Sequence, residues 1–309
     1  MLKINVAISI VIPLYNKELY LEQVLGCIER QTWTNWECII VDDGSTDKSS
    51  QIAKDFISSH GDKWRYIRQE NQGQAAARNV GIDFSRGQYI AFLDADDYWP
   101  NYKLDSQIAA MEANSDLVGV LSPFVIFNSK SKIPRLVTHQ NTQKLLTGWM
   151  SMRGFGGGIE SVGLIRRSIL GSDLRFDESL STSSGLDFTV RLSELGKIGF
   201  VKKIGLLYQI SEGQWHSNTE ELIRNMKVIR EKYPNYSSNT LVEWHDSYIF
   251  WRSVKSEGWP TFFSEFSKTF YHHKRYWRLR MILSLISRNI YAKLLGFIHL
   301  NEINRLLPK

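Results

Sequence analysis

The first hundred residues alternate between short, nearly continuous apolar runs and longer stretches whose apolar residues recur at helical spacing. Val6 to Ile12 is rich in β-branched residues and reads as a first strand. Tyr20 to Gln31 follows, with Leu21, Val24, Leu25 and Ile28 on one helical face. Glu37 to Val41 predicts a second strand. Ser49 to Ser59 predicts a second helix, with Ile52, Ala53, Phe56 and Ile57 turned inward. A strand at Trp64 to Arg68, a loop at Asn71 to Gln74, a helix at Ala75 to Phe84 and a strand at Tyr89 to Leu93 complete the series. Strands apolar on both faces and alternating with helices call for a parallel sheet with right-handed crossovers.

Ligands in open α/β sheets bind where the strands end. The fourth predicted strand ends in Asp94, Asp96 and Asp97, and the second in Asp42 and Asp43 followed by a Gly-Ser-Thr-Asp turn. Three crowded acids repel one another unless a cation or hydrogen-bond donors offset the charge, and a hard divalent ion on carboxylate oxygens does so. The plainer alternative is a polar turn whose acids cap the next helix. Neither G-x-G-x-x-G nor G-x-x-x-x-G-K-[ST] occurs after the first strand, where Pro13-Leu14-Tyr15-Asn16 stands instead. A bound nucleotide must then be held by carboxylates, an aromatic ring and a metal.

Composition sharpens this in one place. The 309 residues carry a formal charge of +6. Seven cations lie between Phe266 and Asn301, from Lys268 to Lys293, with no acid among them, and the remainder is near neutral. Cys27 and Cys38 lack metal-ligand spacing and read as reduced core residues, which suits a cytosolic compartment. Val6 to Leu14 lacks the small-residue cleavage site of a signal peptide, so a buried strand is the better reading. No apolar run reaches the ~18 residues of a membrane span.

Four blocks then fall in order on the predicted strand ends and helix starts. They are Val11-Ile12-Pro13-Leu14-Tyr15-Asn16, Val41-Asp42-Asp43-Gly44-Ser45, Ala76-Ala77-Arg78-Asn79-Val80-Gly81 and Phe92-Leu93-Asp94-Ala95-Asp96-Asp97. Together they resemble family 2 glycosyltransferases, inverting enzymes of the GT-A fold that use nucleotide sugars. The resemblance implies an α/β fold, a Rossmann-like, mostly parallel sheet flanked by helices. It implies that Tyr15 flanks the base and Pro13 lines the same pocket, that Asp43 accepts from a uracil-type N–H, and that Arg78 faces the diphosphate. Asp94, with Ala95 beside it, would contact ribose or the metal's shell, and Asp96 would coordinate Mg²⁺ or Mn²⁺. The residue chemistry agrees, since guanidinium suits phosphate and Mg²⁺ is held by one or two carboxylates plus substrate phosphates. A surface helix cation is the alternative for Arg78.

Beyond residue 100, Leu117 to Leu121 and Val125 to Phe127 read as strands. Gly154 to Gly158 is a glycine-rich loop of the kind that lets backbone approach a ligand. Ser161 to Ile169 and Phe176-Asp177-Glu178 resemble further family blocks. Ser184 to Leu192 resembles the block of the catalytic base, with Leu186 in place of the usual Glu and Asp187 retained as the base. Asp187 and Arg191 are also spaced for a helix salt bridge. His216 lies near the segment where the family carries a histidine; it reads as a metal or diphosphate ligand, or as an ordinary residue. Gln-x-x-Arg-Trp is absent, which argues for single transfers.

The expected organisation is a catalytic domain over 1–219, with a nucleotide-binding half over 1–100 and an acceptor half over 101–219. A helical, basic, aromatic C-terminal region over 220–309 follows. Ile282, Leu285, Ile286, Ile290, Leu294 and Ile298 recur at helical spacing there, which suits an anionic membrane surface. Packing on the catalytic domain, or a dimer contact, is the alternative. No nucleic-acid-binding motif is present. The expectation is a peripheral enzyme at the inner face of the cell membrane, moving sugar from a UDP-type donor to a lipid-linked glycan. A nucleotidyltransferase and a non-catalytic sugar- or membrane-binding module are the alternatives.

Overall fold

The computed structural model describes residues 6–128, 131–137, 159–170, 174–181 and 183–210, together with 224–225, 228–229 and 231–233. The glycine-rich loop at 154–158, His216 and the basic region beyond 233 lie outside the described residues.

Strands β1 (Ile8–Leu14), β2 (Trp36–Asp42) and β4 (Tyr89–Phe92) are buried at every position, as expected for strands covered on both faces. Strand β3 (Trp64–Arg68) lies at the edge. The helices α1 (Leu21–Glu29), α2 (Ser49–His60) and α3 (Gln74–Phe84) connect them. Helix α4 (Lys103–Ala113), β5 (Leu117–Leu121), β6 (Phe124–Asn128) and β7 (Ser131–Val137) follow. Then come β8 (Gly163–Arg166), α5 (Ser184–Leu195), β9 (Lys197–Phe200) and β10 (Leu206–Ile210).

The main sheet has seven strands in the order β3-β2-β1-β4-β8-β5-β9. All pairings are parallel except those of β8, which runs antiparallel to both β4 and β5. Strands from both sides of residue 100 therefore build one sheet. A second sheet of three strands, β10-β6-β7, is tied to the region after β4 by paired hydrogen bonds between Tyr98 and Leu207 (3.1 and 2.8 Å). Its parallel pair, β10 with β6, is one the local pattern does not reveal.

Chain order reverses at β1. Strands β2 and β3 extend to one side and β4 to the other. This switch point opens a crevice at the carboxyl ends of neighbouring strands. Leu14 to Lys17 leave β1 there, beside Asp94 to Asp97 leaving β4. Helix α3 reaches the sheet closely because Gly81 lies against Val11; a Cβ on Gly81 would stand 2.1 Å from Val11 Cγ1. Cys27 and Cys38 are buried free thiols, and burial pushes the Cys27 thiol up to about 11.

Candidate active site

Four segments meet at the switch point. The loop after β2 is fixed by Asp42, which is fully buried at the strand's end. Its carboxylate accepts from Ser45 N (2.8 Å), Tyr66 OH (2.5 Å), Arg68 Nη1 (3.0 Å) and Ser50 Oγ. Burial works against the charge, but the hydrogen bonds from Ser50, Tyr66 and Ser45 outweigh it and hold Asp42 below the usual carboxylate range. Asp43 is 3% exposed. It accepts from Gln69 Nε2 (2.7 Å), Gln72 N (2.8 Å) and Gly73 N (2.8 Å), fastening the loop that enters α3. A carboxylate has about four acceptor sites, so capacity for a base N–H remains beside these three.

Pro13 is buried in β1, paired with Val41 of β2, while Tyr15 just beyond is 45% exposed. An aromatic face is thus open to solvent at the mouth of the crevice. Asp94, Ala95, Asp96 and Asp97 make a tight turn closed by Asp97 N donating to Asp94 O (3.0 Å). Ala95 is buried, and Asp94 N donates to Ser161 Oγ (3.1 Å). Trp99 Nε1 donates to Ser161 O (2.8 Å), so Ser161 ties the acidic turn from both ends.

Arg78 overturns the alternative of a surface helix cation. It is 2% exposed. Its Nη2 donates to Asp94 Oδ1 (2.7 Å), and Nη1 stands 3.5 Å from Glu160 Oε1. The guanidinium carbon lies 5.3 Å from the centre of the Phe176 ring. Burial disfavours the cation, yet Asp94 and Glu160 more than offset this and raise its affinity for the proton. Arg78 sits on the buried face of α3, so it reaches the acids from beneath.

Asp97 is the most enclosed acid of this turn, 1% exposed, and its Oδ1 has no hydrogen-bond partner. Burial, then the neighbouring charges of Asp96 and Asp94, push its carboxyl well above the usual range. Among the described residues no three His, Cys, Asp or Glu side chains form a complete metal cluster. The donor set nevertheless fits a hard divalent ion of the Mg²⁺ or Mn²⁺ kind, because Asp94 and Asp96 belong to one tight turn and the buried Asp97 Oδ1 in the same turn has no hydrogen-bond partner. Such ions take one or two carboxylates and complete their shell with phosphate oxygens and water.

The resemblance also implies a base at Asp187, in the first turn of α5. The structure places it in a sealed cluster. Asp187 is fully buried, and Oδ2 accepts from Arg191 Nε (2.9 Å) and Nη2 (2.6 Å). Oδ1 accepts from Tyr233 OH (2.7 Å) and lies 2.6 Å from Lys232 Nζ. Lys232 also reaches Asp177 Oδ2 (3.1 Å). The blocks around Asn79 and Phe176 are bound to each other, since Asn79 Nδ2 donates to Phe176 O and Phe176 N donates to Asn79 Oδ1, both at 2.9 Å. Helix α5 begins against Glu160, because a Cβ on Gly185 would stand 1.6 Å from its Oε1.

Comparison with known proteins decides the family. A model described as "Glycosyl transferase family 2" matches residues 9–171. The chain belongs to glycosyl transferase family 2. An uncharacterized glycosyltransferase of Haemophilus influenzae is 45% identical over 108 residues, covering 35% of this chain and 43% of its own. One from Rickettsia felis is 31% identical over 211 residues, covering 67% of this chain and 33% of its own. The chain thus spans less than half the length of these relatives. Among solved structures, S. aureus TarS with UDP-GlcNAc superposes with a TM-score of 0.60 at 20% identity, covering 81% of this chain and 73% of that one. The mannosyltransferase PcManGT of Pyrobaculum calidifontis, with GDP-Man and Mn²⁺, also gives 0.60, at 14% identity, covering 95% and 87%. These establish the GT-A fold.

The family match ends before α5, and Asp187 with its partners lies beyond it. Two residues of the crevice, Glu160 and Lys17, escape the motif blocks. Glu160 follows the glycine-rich loop, and no local signal joins it to Arg78. Lys17 follows directly on the first block, and its Nζ lies 2.5 Å from Asp96 Oδ2.

Proposed function

We propose that the protein transfers a sugar from a nucleoside-diphosphate sugar, of UDP type, to an acceptor hydroxyl with inversion at the anomeric carbon. The observation that carries this reading is the switch-point crevice. An exposed Tyr15 ring, Asp43 and the Asp94–Asp97 turn come together there at the ends of three adjacent strands. The donors in complex with the two structural neighbours, UDP-GlcNAc in one and GDP-Man with Mn²⁺ in the other, are nucleoside-diphosphate sugars and support the same class.

In this reading Tyr15 stacks on the base, Pro13 floors the pocket and the remaining acceptor capacity of Asp43 takes a base N–H. Asp94 and Asp96 would hold Mg²⁺ or Mn²⁺, which supplies positive charge for the leaving diphosphate. Arg78, the cation expected toward the diphosphate, acts there through Asp94, whose carboxylate it orients by the 2.7 Å hydrogen bond. Asp187 removes the acceptor's proton, and the acceptor oxygen attacks from the face opposite the diphosphate. Oδ1 of Asp187 must then be released by Lys232 and Tyr233 when acceptor enters. His216 is kept as a candidate ligand to the metal or diphosphate. The basic, aromatic region beyond residue 220 favours an anionic membrane surface, a lipid-linked glycan acceptor and a place on the inner face of the membrane.

A nucleotidyltransferase needs a basic, glycine-rich loop after β1, and Pro13-Leu14-Tyr15-Asn16 stands there. The test is a panel of UDP-, GDP- and dTDP-sugars scored for thermal stabilisation with Mn²⁺. A ligand that binds only the folded state raises the melting temperature, by about 2.7 kcal/mol of stability at 100-fold excess over Kd. At least one UDP-sugar should do so. Stabilisation by nucleoside triphosphates alone would overturn the reading.

A further inference from the structure

The backbone of Lys17 is held in place before its side chain is considered. Asn16 has φ 50 and is the one non-glycine with positive φ among the described residues, a conformation Asn tolerates. Its N donates to Ser45 Oγ (3.1 Å), and its Oδ1 accepts from Thr46 N (2.8 Å). Lys17 N donates to Ser49 Oγ (2.7 Å), and Lys17 O accepts from Tyr20 N and Leu21 N, both at 3.0 Å. The residue is therefore clamped between the loop after β2 and the start of α1. From that clamp its ammonium crosses to the turn after β4 and meets Asp96 Oδ2 at 2.5 Å, with side-chain exposures of 26% and 10%.

This ammonium sits on the carboxylate assigned above to the metal. A divalent cation and an ammonium repel each other, and both cannot hold one carboxylate oxygen at contact distance. We propose that Lys17 is a positioning residue that competes with the metal. It holds and neutralises Asp96 in the metal-free protein, and a divalent ion displaces it. Its ammonium is then freed beside the diphosphate that completes the ion's shell. A flexible four-carbon stem with three donors suits such a relocation, and a clamped backbone keeps it within reach. Metal binding and diphosphate binding are thereby coupled. The ion alone binds weakly because it must expel the lysine, whereas with diphosphate present the expelled lysine gains a new anionic partner. The inference rests on Asp96 being the metal carboxylate.

The two consequences have opposite sign, which a merely structural lysine would not produce. Mn²⁺ alone, followed by the paramagnetic signal of the free ion, should bind Lys17→Met about tenfold more tightly than wild type, the scale of one charge-assisted contact. UDP at saturating Mn²⁺, followed by calorimetry, should bind the same variant about tenfold more weakly. Lys17→Gln should repeat both shifts, and Lys17→Arg, which keeps the charge, should remain close to wild type. Asp96→Ala is the control that separates the two assignments. If Asp96→Ala binds Mn²⁺ as wild type does, the metal assignment fails and this inference fails with it. If Asp96→Ala loses Mn²⁺ while both neutral Lys17 variants bind it unchanged or more weakly, the competing role alone is overturned.

Discussion

Replacing Arg78 by Met separates the buried tie seen in the structure from the direct phosphate contact expected of the motif. Met approximates the length of the side chain and removes its charge. Asp94 then loses a 2.7 Å hydrogen-bonded cation, and Glu160 loses a cation at 3.5 Å. Breaking a fully buried ion pair costs about 3–5 kcal/mol. The Asp94 side chain is 23% exposed, so water recovers part of this, and ~2–3 kcal/mol is the fair expectation. For a domain of this size that corresponds to a drop of ~5–10 °C in melting temperature. The assay is thermal unfolding of the donor-free protein, with UDP calorimetry at a temperature where the variant stays folded. The account predicts a large drop before any ligand is added. An unchanged melting temperature combined with a large loss of UDP affinity would mean that the guanidinium touches phosphate directly, and would refute the buried-tie argument.

Glu37, near the amino end of the interior strand β2, tests the sheet through pH. Burial raises its pKa, but hydrogen bonds from Arg86 and Ser9 prevail, so its folded value lies below the ordinary 4.5. Its stabilisation is therefore complete above about pH 4.5 and lost as pH falls through the depressed value. Glu37→Gln should lower unfolding free energy near neutrality by ~1–3 kcal/mol and flatten the acid limb of the stability profile; parallel acid limbs would contradict this. Asp187→Asn should reduce turnover by ~10²–10⁴ while leaving donor affinity near normal. A variant with intact turnover and a lowered melting temperature would make Asp187 a structural tie to Arg191, Lys232 and Tyr233. Full-length protein should float with anionic liposomes, and deletion of Phe262 to Lys309 should release it with donor binding intact. Failure of the intact protein to bind liposomes at low salt would remove the main support for a lipid-linked acceptor.

The βαβ half of the fold was readable because its strands are apolar on both faces and its helices keep a clear inward stripe. β3 and β5 coincide with the expected ranges, and β1, β2 and β4 differ by one or two residues at their ends. The antiparallel insertion of β8 and the second sheet were not readable, since strand order and pairing depend on contacts distant in sequence. Among site residues, the acids after β4 follow directly from strand-end logic, whereas Tyr15 comes from the family resemblance alone. For Arg78 the motif gives residue type and not direction, and the packing of α3 on β1 turns it inward onto Asp94 and Glu160. Lys17 and Glu160 were silent for a related reason, as their partners lie 79 and 82 positions away in sequence and the fold alone brings them together.

The central claim is that the Asp94–Asp97 turn binds a nucleoside diphosphate through a divalent ion. Calorimetric titration of UDP into wild type and Asp96→Ala, each with Mn²⁺ and with chelator, tests it most directly. The account predicts binding that requires Mn²⁺ in wild type and is absent from a folded Asp96→Ala under both conditions. UDP binding by Asp96→Ala with unchanged Mn²⁺ dependence, or wild-type binding indifferent to chelator, would contradict it.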